Sequence, residues 1–178
     1  LGPHQRMPRP GMRWGPAQKV GAPNFRLEDV TALRTQLAGI EAVAPQVSKS
    51  MTVVANGRNW QTSVVGTNTD YFTIDNRTFE DGRNFEEAEE RAGSAVCVIG
   101  STVANELFGT TQNVVGRQIR TGGFSCRVIG LLKTKGTAAM GGDQDELLVM
   151  PLKSVQRRIL GDNRVSALLI RINADSDR

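Results

Sequence analysis

"AVCVIGSTVANELFGTTQNVVGRQIR", Ala95 to Arg120, holds within one stretch the change of pattern on which the fold turns. Ala95 to Ile99 is a short apolar run closed by a glycine, the mark of a strand buried on both faces. Ser101 reads as the cap of a helix with Val103, Leu107 and Phe108 on its inner face, and Gly109 as its stop in a left-handed conformation. After a polar loop, Gly116 lets a new strand begin close to its neighbour. From Asn105 to Arg120 the stretch contains no nucleophile beside a base, no metal-ligand set and no phosphate cradle.

Working outward, strand and turn signals dominate. "IEAVAPQVSKSMTVVANGRNWQTSVVGTNTDYF" alternates and is rich in β-branched residues, predicting strands near 40–55 and 59–67 joined at Asn56-Gly57. "VVGRQIRTGGFSCRVIGLL" reads as a second hairpin turning at Gly122-Gly123. Gly82 marks a turn into an acidic, solvated helical turn over 86–91. Residues 133–145 read as a flexible loop, followed by a strand at 146–151, a helix over 152–160 with Leu152, Val155 and Ile159 on one face, and a strand at 165–172. Upstream, Leu27, Val30, Leu33 and Leu37 recur near 3.6 residues, predicting a short helix with Asn24 as a nearby cap and Gly39 as its stop. The order of elements is α+β.

Composition narrows the function classes. With 178 residues, 39% of them hydrophobic, the chain can bury a real core. No run approaches the roughly eighteen apolar residues of a membrane span, and the opening lacks the apolar block of a secretory signal. This leaves a cytosolic chain or one whose export signal lies elsewhere. The formal charge of +4 belongs to residues 1–24 and the Arg26 beyond them, which hold Arg6, Arg9, Arg13 and Lys19 and no acidic group. The rest of the chain is slightly acidic, so no nucleic-acid partner is expected. Residues 1–24, rich in proline and glycine, read as a flexible basic arm disfavouring helix and sheet.

Catalytic constellations are scarce. The only histidine, His4, lies in the arm, which excludes histidine-based triads and zinc sites from the folded part. Neither a phosphate-binding loop nor a dinucleotide fingerprint is present. Asp143, Asp145 and Glu146 offer oxygens suited to calcium without the spacing of a calcium loop, and read as a solvated loop. Arg58 and Trp60 after the first hairpin turn, with Asp143, Gln144 and Asp145, are the candidate partner contacts. Cys97 and Cys126 sit in strand-like apolar runs, either as two buried thiols or as a disulfide between neighbouring strands.

Taken in order, "VVGTNTDYFTI" (64–74), "DGRNF" (81–85), "AVCVIGSTVANELFG" (95–109), "VVGRQIR" (114–120), "FSCRVIGLLKTKG" (124–136), "DQDELLVMPL" (143–152) and "SALLIRI" (166–172) resemble the extracytoplasmic core domain of MacB-type ABC transporter permeases. The resemblance implies a two-part α+β domain. A Porter-like α/β sandwich is formed by both chain ends, residues 25–55 and 148–178, around an inserted, hairpin-rich Sabre-like part, residues 56–147. It implies a location at the periplasmic face of the bacterial inner membrane. Its partners would be a second permease copy, an ATPase domain on the cytoplasmic side, a periplasmic adaptor and an outer-membrane channel. The domain itself would be non-catalytic and free of cofactors and metals, transmitting ATP-driven movement and docking an adaptor or substrate; it would be excised from a longer chain. Two rivals are a free-standing secreted binding module and a hydrolase built on two facing carboxylates.

Overall fold

The computed structural model describes residues 18–25, 39–139 and 141–172. The helix expected over 27–37 and residues 1–17 of the arm lie outside them. Among the described residues the strands are β1 (Gln18–Phe25), β2 (Ile40–Ala55), β3 (Arg58–Thr67), β4 (Phe79–Gly82), β5 (Val96–Ile99), β6 (Gln118–Thr121), β7 (Phe124–Leu132), β8 (Leu147–Pro151) and β9 (Val165–Ile172). Helices α1 (Asp70–Ile74), α2 (Glu87–Ala92), α3 (Ser101–Phe108) and α4 (Leu152–Val155) lie between them, α4 running on into a π-helical turn at Gln156–Leu160. The mixture is α+β, as the order of patterns predicts.

Six of the strands close on themselves. β2 turns through Asn56-Gly57 into β3, β3 lies parallel to β8, β8 antiparallel to β5, and β5 parallel to β7. β7 pairs with β6, and β6 returns to β2 through Val53↔Thr121 and Val54↔Arg120. Side chains alternate across such a ring, so every second residue faces its interior. Val53, Val64, Cys97, Ile99, Ile119, Cys126, Val128, Leu148 and Met150 point inward and share one apolar cluster with Val103, Ala104 and Leu107 of α3. Their neighbours Val65, Val96, Val98, Ile129, Leu147 and Val149 point outward into a second cluster. There they meet Tyr71, Phe72 and Ile74 of α1 and the ring of Phe85, which lies 5.7 Å from that of Phe72. Burial on both faces is why β5 and β8 read as continuous apolar runs.

The outer strands extend this ring. β2 hands over part-way along its length, pairing with β9 up to Gln46 and with β3 from Val47. Pro45, which has no N–H to contribute, sits at the hand-over, and its carbonyl accepts a hydrogen bond from the buried Thr67 hydroxyl at 2.9 Å. The second half of β2 and all of β8 therefore hydrogen-bond within the ring. The sequence-based division groups residues 47–55 and 148–151 with the chain ends.

Several local expectations need correction. The arm is not irregular throughout: Gln18–Phe25 pairs antiparallel with β9 as an edge strand, and Asn24 lies within it rather than capping a helix. The ladder shifts between Gly21 and Phe25, which takes Pro23 out of register. Backbone pairing of this kind leaves no alternation to read in the sequence. The cap of α3 is Gly100, not Ser101. A Cβ at Gly100 would lie 2.1 Å from the Asp145 carbonyl oxygen, so the position admits only glycine, and Ser101 starts the helix with its hydroxyl bonded to that of Thr134. Gly116 has open space around its missing Cβ and is needed for its φ of 97°, not for close approach; the strand begins two residues later. The turns at Asn56-Gly57 and Gly122-Gly123 and the left-handed stop at Gly109 are where the sequence puts them.

Leu107 has no exposed surface inside the ring. We predict that Leu107→Ala lowers the unfolding free energy in urea by about 2–5 kcal/mol. Glu87→Ala, on the solvated α2, should change it by less than about 0.5 kcal/mol, because its ion pair with Arg91 is largely exposed.

Candidate functional site

The chain reverses sharply after α1. Asn76 takes a left-handed φ of 55°, and the Arg77 N–H donates to the Phe72 carbonyl at 2.7 Å, which turns the Arg77 side chain inward. That side chain is only 4% exposed. Its Nε donates to Asp75 Oδ2 at 2.8 Å, its Nη2 to the Gln144 carbonyl, and its Nη1 lies 3.7 Å from Asp145 Oδ1. Asp145 is 3% exposed, and its two oxygens accept the backbone N–H groups of Lys135 and Gly136 at 2.8 and 2.9 Å. Asp143 accepts the N–H of Asp145 with one oxygen and the Thr102 hydroxyl with the other. A buried cation, two carboxylates and the 133–146 loop thus form one knot between the end of α1 and the start of α3.

This knot overturns the expectation of a solvated loop for Asp145. Both of its oxygens are committed within the chain, and burial removes it as a partner contact. Burying charge is unfavourable unless each charge finds partners, and here Asp145 meets a guanidinium and two N–H groups. The signal that sequence reasoning lacked is Arg77. It stands in a polar run, "DNRT", that looks like any exposed turn.

Arg58 and Trp60 lie elsewhere. Trp60 is half-buried against the ring's interior cluster, directly across from Val53, which in turn faces Thr121, itself paired with Phe124. Its Nε1 is buried without an acceptor, so the ring serves mainly as apolar filling. Arg58 is exposed, its guanidinium beside Gly109, where the last carbonyls of α3 favour positive charge. Arg117 stacks over Phe108 at 4.6 Å near the same helix end. Two of the candidates therefore lie at opposite ends of α3, Asp143 at its start through the Thr102 hydroxyl and Arg58 at its end beside Gly109.

A polar cleft of about 360 Å³ opens between β4, Ser101 and residues 111–113. Its carboxylates, Glu80 and Asp81, are consecutive residues at a bulge in β4. The arrangement a two-carboxylate hydrolase needs is different, with one group on each side of the bond to be cut. Nearby, Arg83 donates two hydrogen bonds of 2.9 Å to Glu89, which hold the Glu89 carboxyl below its usual range.

Among the described residues no helix is long and apolar enough to cross a membrane. Residues 5–178 match the model of the MacB-like periplasmic core domain. The chain belongs to this family. The MacB-like domain is 35% identical over 151 residues to the macrolide export ATP-binding/permease protein MacB of Bdellovibrio bacteriovorus, an alignment covering 85% of this chain and 23% of that protein. It is 33% identical to the pyoverdine export ATP-binding/permease protein PvdT of Pseudomonas entomophila, over 77% of this chain and 21% of that one. Its fold matches the periplasmic region of MacB from Actinobacillus actinomycetemcomitans with a TM-score of 0.74 at 22% identity, over 88% of this chain and 68% of that one. It also matches the extracellular domain of the noncanonic ABC-type transporter YknZ from Gram-positive bacteria, with a TM-score of 0.71 at 23% identity over 84% and 73% of the two chains. The chain spans about a quarter of the length of the curated relatives it matches. It is a MacB-like periplasmic core domain.

Two outcomes follow for the MacB-like domain. Arg77→Met leaves Asp145 buried without its cation, and we predict a loss of about 3–5 kcal/mol in urea unfolding, visible also as a lower Tm. Glu89 titrates below its unfolded value, so its pairing with Arg83 contributes above the ordinary carboxylate range and is lost as pH falls through the folded value. Thermal unfolding followed from neutral pH down to about 3 should show an acid-side decline that Arg83→Met makes shallower.

Proposed function

We propose that this chain is a stiff extracytoplasmic lever of an ATP-driven exporter. ATP binding and hydrolysis by a domain on the cytoplasmic side would move the membrane helices, and the domain would carry that movement outward as a rigid body against a second permease copy. The observation that carries the reading is the closed ring with its largest loop knotted down by Arg77 and Asp145: family membership gives the setting, and the ring supplies the stiffness. A lever of this kind works without a cofactor of its own. Its contacts with a periplasmic adaptor, and through it an outer-membrane channel, would use the exposed rim around Arg58 and the half-buried Trp60. On this reading the two chain ends form the frame that connects to the membrane, and the hairpin-rich middle is the part presented to partners.

The test uses the whole parent transporter reconstituted in vesicles. Arg77→Met, which loosens the domain without touching the rim, should leave ATP hydrolysis within about twofold while export falls about tenfold or more, because the motion is generated and then absorbed. Unchanged export in a variant whose domain is demonstrably less stable would overturn the reading.

A further inference from the structure

Cys97 on β5 and Cys126 on β7 both point into the ring, and both are without exposed surface. Their Cα atoms are 5.8 Å apart on paired strands, and the two side chains are joined as a disulfide. Around them are Ile99, Ile119, Val128 and Leu107, members of the same interior cluster. In thiol–disulfide exchange such a bond is made or broken only when an attacking sulfur can line up with the sulfur it attacks, and other reductants must likewise reach one of its sulfurs. Inside the closed ring no protein-sized partner has that access, so the exchange belongs to a state in which the ring is open. The two shortest ladders of the ring have two residue pairs each, β5 with β8 and β2 with β6, and β6 is hairpin partner to the strand that carries Cys126.

We propose that this chain is a client of a protein dithiol oxidant outside the cytoplasmic membrane, and that the Cys97–Cys126 bond is installed before β6 closes onto β2 and is sealed afterwards. One chain thiolate attacks the oxidant's disulfide, forming a mixed disulfide and releasing one oxidant thiolate. The second chain thiolate then attacks the chain's own sulfur in that mixed disulfide, which forms the Cys97–Cys126 bond and leaves the oxidant as a dithiol. Two chain thiols are oxidised, one disulfide of the oxidant is reduced, and the two protons pass to the reduced oxidant. The inference needs the extracytoplasmic placement of the domain and does not depend on its part in export.

The experiment exports the chain in two bacterial strains, with and without the periplasmic dithiol oxidant, and alkylates it with iodoacetamide in denaturant before any reductant is added. From the proficient strain, neither cysteine should be labelled and one peptide pair should link residues 97 and 126. From the deficient strain, both should be labelled and the protease-resistant domain should fall about tenfold, since removing a native disulfide weakens a domain substantially. The oxidised domain is then treated with a phosphine reductant, and reduction should be at least about 100-fold slower in buffer than in urea, because it waits for the ring to open. Labelled thiols from the proficient strain would overturn the proposal, as would equal oxidation in both strains or reduction as fast in buffer as in urea. The Cys97→Ala/Cys126→Ala double variant should accumulate equally in both strains; continued dependence on the oxidant would show that the effect is indirect and also overturn it. If the double variant does not fold at all, the buffer-against-urea comparison on the unmodified chain decides alone.

Discussion

The fold depends on a small contact, the two residue pairs Val53↔Thr121 and Val54↔Arg120 that return β6 to β2. Without them the ring would be an open sheet, and the inward residues of its four other strands would lose their enclosure. With them, alternation alone sorts apolar side chains into an interior shared with α3 and an exterior covered by α1 and Phe85. Val53 and Thr121 are both almost without exposure, and their side chains stack between Trp60 and Phe124.

A closed ring leaves its connections as the loosest parts, and among the described residues 133–146 is the longest of them that contains no helix or strand. The chain holds it with charge in place of apolar contact. Arg77 reaches the loop from one side, and the Asp145 carbonyl accepts the Thr102 N–H from the other. Hydrogen-bonded charge is directional in a way that apolar packing is not, so the loop has one position relative to α1 and α3. That property suits a part whose proposed task is to move as a unit, and it explains why Asp145, read as one of a solvated acidic cluster, is buried while Asp143 beside it stays exposed.

Much of the ring was legible. The hairpins at Asn56-Gly57 and Gly122-Gly123, the buried strands around Cys97 and Leu148, and the helix ending at Gly109 all follow from local rules, where a turn type demands certain residues or an apolar run demands enclosure. The family was legible too, because several short pieces in fixed order constrain the sequence more than any one of them does. What escaped were features without a local signature. β1 pairs through its backbone, Gly100 is dictated by a carbonyl forty-five positions away, and Arg77 is charged but belongs inside.

The amino-acid sequence by itself determined which segments form the strands of the ring, where they turn, and which apolar side chains must leave water, because those follow from periodicity and conformational preference within a few residues. Only the tertiary structure decided that β6 meets β2, that Arg77 meets Asp145, and that Cys97 and Cys126 share an interior. These are encounters between segments distant along the chain. Their free energy comes from burial and from the pairing of charges, and neither exists until the ring has closed.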